Sequence, residues 1–436
     1  MARKNLVLHV VSLIFLFLLT SVSASATGLF KAAQDYGTGG YFGGSVAVAD
    51  LNGDGIPDVV VTNSEPNIDQ EFTVGVLRGN GDGTFQPAQT YGTGGTFPRQ
   101  VIIADVNGDG KPDLVIANQC GPNLPVCRNP YGSVGVLLGN GGGTFQAAKY
   151  YHSGGGYADA IAVGDVNGDG NLDLVVANSC TGETCQGPPA IAVLLGDGTG
   201  AFVVAHSYGS GGYLLSSIAL ADVNGDGKLD VVAVNQCPGP RNEGGCAPGS
   251  VVGVLLGKGD GTFKSARTYK SGGWQATGVV AADVNGDGKL DLVVANGCTT
   301  GSIEGCGSDF RGVVGVLLGN GDGTFQDAQT FDTDGEYASS VAATDVNGDG
   351  KLDLLVVNSC AAGYFYKCYK SGVGVLLGNG DGTFQAGTSY LSGGYEAGPI
   401  AVADLNRDGK PDVLVSNSLE SVGSFTGGAV GVLLHK

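Results

Sequence analysis

Seven nonapeptides of the form Asp-[Leu/Val]-Asn-x-Asp-Gly-x-x-Asp begin at Asp50, Asp105, Asp165, Asp222, Asp283, Asp345 and Asp404. Each sets side-chain oxygens at positions 1, 3, 5 and 9, with a glycine at position 6 where the backbone must turn sharply. Adding the main-chain carbonyl of position 7 gives every loop five protein oxygens, and waters would complete the roughly six to eight that Ca²⁺ takes. The candidate donors are Asp50, Asn52, Asp54, Ile56 and Asp58 in the first loop; Asp105, Asn107, Asp109, Lys111 and Asp113 in the second; and Asp165, Asn167, Asp169, Asn171 and Asp173 in the third. The fourth and fifth offer Asp222, Asn224, Asp226, Lys228 and Asp230, then Asp283, Asn285, Asp287, Lys289 and Asp291. The sixth and seventh offer Asp345, Asn347, Asp349, Lys351 and Asp353, then Asp404, Asn406, Asp408, Lys410 and Asp412. Ile56, Asn171 and the five lysines enter through their carbonyls. Hard oxygen donors without His or Cys nearby point away from zinc and copper. An EF-hand needs a Glu at position 12 and flanking helices, whereas position 12 here is Val61, Ile116 or Val176 inside an apolar run. The plainer reading of such clusters is a solvated turn. One loop departs from the pattern, with Arg407 at position 4 where the other six have Gly.

Charge argues for the cation. The 436-residue chain has 41 acidic and 22 basic side chains. Arg3 and Lys4 precede a 14-residue apolar run, Leu6 to Leu19, and a small-residue stretch ending Ala24-Ser25-Ala26, the order of a secretory signal peptide. Cleavage after Ala26 would leave a net charge of −21, and the seven loops contain 21 Asp, so the rest of the mature chain is neutral. Without a cation, three carboxylates in each loop repel one another. The acidic balance disfavours nucleic acid as a partner. The leader run is short for a membrane span, and the expectation is a secreted monomer.

What must position these loops is a repeat. The motif recurs at intervals of 55, 60, 57, 61, 62 and 59 residues. An apolar stretch such as SVAVAD precedes each loop and another such as DVVVTN follows it; then come a variable segment, a VGVLLGNGDG-like segment and a TFQPAQTYGTGG-like segment. These runs are short, rich in Val and Ile, and bounded by Gly, Asn or Asp, which predicts strands. Four strands per unit, seven times over, predict an all-β, seven-bladed β-propeller occupying residues 27–436. The mature chain opens on TGLFKAAQDYGTGG, which matches a fourth strand, and ends on GVLLHK, which matches a third. The amino-terminal strand is therefore expected to complete the last blade and leave no open edge. Glycine, at 80 of 436 residues, shows no Gly-X-Y period and coexists with 42% hydrophobic residues, so neither collagen nor disorder fits.

The D-x-N-x-D-G-x-x-D loop, the unit length and the GDGTF turn together resemble the FG-GAP/VCBS repeat, best known from the amino-terminal propellers of integrin α subunits. The resemblance spans residues 27–436. It implies calcium in the loops between first and second strands, and a ligand face on the opposite side. It leaves function open, because such propellers serve adhesion receptors, lectins and polysaccharide-cleaving enzymes alike.

Three further features bear on function. GNGDGTF, with Asp82 and its counterparts Asp260, Asp322 and Asp381, reads as a hairpin turn or as an accessory oxygen ligand; Gly142 stands there in the second repeat. Ten cysteines fall as local pairs in the loop between second and third strands: Cys120/Cys127, Cys180/Cys185, Cys237/Cys246, Cys298/Cys306 and Cys360/Cys368, read as disulfides of an exported chain. An aromatic stands eight or nine residues ahead of each first loop Asp: Tyr41, Phe97, Tyr157, Tyr213, Trp274, Tyr337 and Tyr395. These seven either pack between blades or ring the channel mouth and stack on a carbohydrate or protein ligand. Catalytic motifs are absent. Arg99, His152, Asp159, Glu336 and Glu396 are expected near the face bearing the aromatics, where a polysaccharide lyase or hydrolase would need them. The reading favoured is an exported calcium-binding module for an extracellular carbohydrate or protein ligand, with the carbohydrate-active enzyme as its alternative.

Overall fold

The structure, a computed structural model, describes residues 28–64, 72–122, 131–181, 185, 187–239, 249–299, 301, 306, 310–361, 370–421 and 424–436. The expected leader and the cysteines Cys127, Cys246 and Cys368 lie outside them. The described residues form antiparallel strands and turns and contain no helix.

The chain makes seven units, numbered 1 to 7, each a four-stranded antiparallel meander. Unit 4 is representative: Tyr213–Ala221, Asp230–Cys237, Val251–Leu255 and Arg267–Lys270 pair in sequence order. Two long strands, Lys149–Gly164 and Gln329–Thr344, each serve as the fourth strand of one unit and the first of the next, merging units 2 and 3, and units 5 and 6, into seven-stranded sheets. Unit 7 borrows its fourth strand from the other end of the chain. Gln34–Gly37 pairs antiparallel with Ser424–Leu433, placing Gln34 opposite Val432 and Gly37 opposite Ala429.

Burial follows strand order. Second strands such as Asp230–Cys237 have apolar residues buried on both faces, which is why they read as continuous Val/Leu runs and not as alternating ones. Fourth strands such as Arg267–Lys270 are mostly exposed. Six of the seven third strands carry a glycine at the point of closest approach between units, where unit 3 has Ala192: a Cβ on Gly315 would overlap the carbonyl oxygen of Ser271 in the preceding unit, and Gly75, Gly135, Gly253, Gly374 and Gly431 meet the same obstacle. Part of the glycine excess is thus a condition for packing one unit on the next.

Three layers of contact join each unit to its neighbour. Seven hydrophobic clusters each draw on two consecutive units. One of them unites Val46, Val59 and Phe85 of unit 1 with Leu405, Leu414 and Val430 of unit 7. The Phe of the GDGTF-type turn packs edge-to-face on an aromatic of the preceding unit's fourth strand, in the pairs Tyr91–Phe145, Tyr151–Phe202, Tyr208–Phe263, Tyr269–Phe325 and Phe331–Phe384, with centroids 5.4–5.7 Å apart. The same contact occurs on both sides of unit 7, as Tyr390–Phe30 at 5.4 Å and Tyr36–Phe85 at 5.2 Å. Such pairs contribute about 0.5–1.5 kcal/mol each beyond the area they bury. Finally, a buried Asn on each second strand donates through Nδ2 to the main-chain carbonyl of a Ser or Thr 25 residues earlier, as Asn296 does to Ser271 at 3.1 Å and Asn63 to Thr38 at 3.1 Å. In units 3 to 7 the Ser or Thr hydroxyl also donates to the Asn Oδ1.

Candidate functional site

Each nonapeptide folds around its own carboxylates. In the fifth loop, Asp283 Oδ1 accepts from the amides of Gly286 at 2.7 Å and Asp287 at 3.1 Å, and its Oδ2 from Gly288 at 2.8 Å. Asn285 Oδ1 accepts from the Asp287 amide at 2.8 Å, and Asp287 Oδ1 from the Lys289 amide at 3.0 Å. These turns need left-handed backbone at positions 4 and 6, supplied for example by Gly286 at φ +74° and Gly288 at φ +81°. Arg407 takes the same position in the last loop at φ +62°, and its Nη2 reaches 3.3 Å to the Asp54 carbonyl of the first loop, across the junction of units 7 and 1.

Position 9 plays a different part. Asp291 is fully buried; its Oδ2 accepts from Val284 N within the loop at 3.0 Å and its Oδ1 from Gly319 N, just past the third strand, at 2.8 Å. Asp58, Asp113, Asp173, Asp230, Asp353 and Asp412 are likewise fully buried and bridge the same two elements. Burial pushes all seven above the usual carboxylate range, and Asp230 to about 6. The loop's other carboxylates add to the rise, as Asp226 and Asp222 do for Asp230. At three other loop carboxylates the shift is opposite. Asp50 is held low by amide hydrogen bonds that outweigh its desolvation, Asp109 by Lys111, and Asp169 by the Asn171 amide.

A cation fits these loops by donor chemistry: every donor is an oxygen, and the position 9 carboxylate feels the charges of positions 1 and 5. Among the described residues no three His, Cys, Asp or Glu side chains are gathered as a metal centre, because the exposed carboxylates are turned to their own loop amides. The GDGTF segment is a side-chain-closed turn, in which Asp82 Oδ1 accepts from the Thr84 amide at 2.9 Å and the Thr84 hydroxyl at 2.6 Å; Asp260, Asp322 and Asp381 do the same.

Disulfides join Cys180 to Cys185 and Cys298 to Cys306. Cys120, Cys237 and Cys360 are also disulfide-bonded, and the cysteines expected to pair with them lie outside the described residues. No helix among the described residues is long and apolar enough to cross a membrane.

The first strands of all seven units wall a central cavity of about 670 Å³. It lies toward the beginnings of those strands, where Gly44, Arg99, Asp159, Ser216, Thr277 and Ser339 line it, and so on the side away from the nonapeptide loops at their far ends. None of the seven aromatics is part of its wall. Six of them also occupy two different backbone positions. Phe97, Tyr157 and Tyr337 adopt left-handed φ of 55°, 52° and 53°, whereas in units 4, 5 and 7 that place belongs to Leu214, Gln275 and Glu396, with Tyr213, Trp274 and Tyr395 one residue earlier. The eight- or nine-residue spacing to the loop records this offset. Tyr213 and Trp274 stand opposite Cys237 and Cys298 on the second strands, Phe97 packs on Phe72 and Tyr337 on Phe310. Tyr41 is 40% exposed.

Of the five polar residues expected on this face, Arg99, Asp159 and Glu396 line the cavity. His152 packs on Tyr131 outside the wall, its Nδ1 accepting from the Gly154 amide at 3.0 Å. Glu336 is buried on a long strand opposite Cys360, its carboxyl pushed up by desolvation. What sequence reasoning missed is the arc of hydroxyls that units 4 to 6 present to the cavity: Ser216, Ser217, Thr277, Ser339 and Ser340 sit where the first strands carry small polar residues among apolar ones.

Comparison with known proteins agrees with the repeat. The FG-GAP-like repeat family matches residues 63–116, 126–176, 180–233, 245–294, 305–356 and 364–415, and the FG-GAP repeat matches residues 400–433. No curated protein sequence matches the chain. Among solved structures, the V. cholerae biofilm matrix protein Bap1 is 14% identical, with 93% of this chain and 91% of that one covered at a TM-score of 0.46. A protein of unknown function from Dyadobacter fermentans is 13% identical, with 94% and 100% covered at a TM-score of 0.48. With its repeat matched over more than half its length, this chain belongs to the FG-GAP repeat family.

Proposed function

We propose that the protein is an exported seven-bladed β-propeller that carries Ca²⁺ in its nonapeptide loops and acts as a binding or adhesion module for an extracellular carbohydrate or protein ligand. The observation that carries this reading is the cavity walled by first strands of all seven units, on the side away from the loops. Closure of the ring draws support from the unit 7–unit 1 cluster and the Tyr36–Phe85 contact. Calcium would be held by the Asp, Asn and carbonyl oxygens at positions 1, 3, 5, 7 and 9, where it would neutralise carboxylate repulsion and stiffen the loop. The protein's own part is to hold position 9 in place through two buried amide hydrogen bonds, so that cation binding and the joining of loop to third strand depend on one side chain. Export accords with the disulfides.

A polysaccharide-cleaving enzyme is the second reading, and it draws on Arg99, Asp159 and Glu396 meeting at one cavity. Asp159 is poorly suited to proton transfer, since it already accepts from Gln119 Nε2 at 2.8 Å and from the Ser179 hydroxyl and lies beside Arg99. A binding screen against glycans and matrix proteins with calcium present, run beside an activity screen on acidic polysaccharides, separates the readings. Retention without product supports the binding module; release of product refutes it in favour of the enzyme.

A further inference from the structure

We propose that the central cavity binds an acidic sugar, a uronate residue of a glycan, with Arg99 as its carboxylate anchor. The proposal rests on the reading of this face as the ligand face and names the ligand class. A cavity of about 670 Å³ has the size of a small-molecule site, and its wall is polar. At one wall position the units carry Ser216, Thr277 and Ser339, whose hydroxyls are spent on backbone carbonyls: Ser216 on Ala276 at 2.8 Å, Thr277 on Ala338 at 3.1 Å and Ser339 on Val357 at 3.3 Å. Unit 2 has Arg99 there, the one cation among the residues that line the cavity.

Arg99 is held in place. Its Nε lies 3.6 Å from Asp159 Oδ1 in the next unit, and Asp159, with a side chain 14% exposed, is itself fixed by Gln119 and Ser179. The Arg99 side chain remains 56% exposed, and among the described residues it has no partner other than Asp159. Its two Nη groups are therefore available, in the planar geometry that matches a carboxylate. Asp159 meets only Nε, so a neutral ligand would cover the Nη edge of the guanidinium without matching its charge, at a desolvation cost. The other charges on the wall are Asp159, already paired with Arg99 through Nε, and Glu396 of unit 7; Ser217 and Ser340 lie on units 4 and 6. These acceptors and hydroxyls suit sugar hydroxyls, and Glu396 disfavours a second ligand charge. One carboxylate at one end of a polyhydroxylated ring satisfies both requirements.

The test titrates the calcium-loaded protein with galacturonate, which carries one carboxylate, and with its methyl ester, which keeps every ring hydroxyl and loses the charge. The proposal expects binding of the acid, about tenfold or more weaker binding of the ester, a similar loss in Arg99→Gln, and weakening with salt. The ester comparison needs no variant, so it stands even if Arg99→Gln misfolds. Equal binding of acid and ester, or unchanged affinity in a folded Arg99→Gln, overturns the anchor while leaving a carbohydrate-binding module in place. Binding of neither compound, with no glycan retained in the wider screen, overturns both the anchor and the carbohydrate reading.

Discussion

If the seven units close on themselves, the junction between units 7 and 1 bears load like any other. Phe85 lies at that junction, 9% exposed and edge-to-face with Tyr36 at 5.2 Å; Phe325 lies between units 4 and 5, 7% exposed and edge-to-face with Tyr269 at 5.5 Å. Each sits in a hydrophobic cluster shared by two units. Truncating a buried Phe to Ala removes its transfer free energy and leaves a cavity, together about 3–5 kcal/mol, of which the ring–ring contact supplies about 0.5–1.5 kcal/mol. Phe85→Ala and Phe325→Ala are therefore expected to lower the stability of the calcium-loaded protein by similar amounts. Phe85→Leu should cost a smaller part of that. Urea unfolding reads this out as matched shifts in midpoint at unchanged slope. A Phe85→Ala variant with the parent's midpoint, beside a strongly destabilised Phe325→Ala, would mean that Tyr36 and Phe85 are not packed in solution and that the ring is open.

Removing residues 27–38 takes away Phe30 and the strand Gln34–Gly37, leaving Ser424–Leu433 as an exposed edge; the truncated protein should melt lower and aggregate, and a monomer with the parent's melting point would contradict this. In chelator, the position 9 carboxylates, with folded pKa values raised above 3.8 and to about 6 for Asp230, bind protons more tightly when folded. Their contribution is lost as pH rises through the folded pKa, so melting temperature should rise as pH is lowered from 7 towards 5. Below about pH 4 it should fall as Asp50, Asp109 and Asp169, whose pKa values are lowered, become protonated; a steady fall from pH 7 downwards would contradict the assignment. Non-reducing peptide mapping should link Cys120 to Cys127, Cys237 to Cys246 and Cys360 to Cys368, and a link between different units would refute local pairing.

The repeat was legible because its signals are local and recur: a loop with fixed oxygens, Gly at turns, and short Val-rich runs predict four strands per unit, and the structure has them. The borrowed strand Gln34–Gly37 was legible from the phase of the two chain ends. What stayed hidden depends on neighbours distant in sequence. GDGTF announces a turn, but its Phe is an inter-unit contact whose partner lies on the preceding unit. The Ser/Thr–Asn bridge has a constant separation of 25 residues, visible in the chain yet meaningless until two units are laid side by side. The placement of the aromatics was hidden for a related reason. A spacing of eight or nine to the loop looks like scatter, but a single left-handed residue at Tyr157 or Gln275 changes where the neighbouring side chains stand, and six of the seven rings that align in sequence fall at two positions along the backbone. Asp58 and its equivalents read as ligands alone; their hydrogen bonds to amides of the loop and of the residue past the third strand tie the two together.

Calcium is the claim on which the account turns, and its stoichiometry is the direct measurement. Equilibrium dialysis of chelator-stripped protein against ⁴⁵Ca²⁺, followed by melting of the same samples, should give saturable binding approaching seven ions per chain, one for each Asp-Asn-Asp-Gly loop. Melting temperature should climb with free calcium, as linkage requires of a ligand that prefers the folded state. No saturable binding, and a melting point indifferent to calcium and chelator, would reduce the loops to solvated turns closed by their own amides.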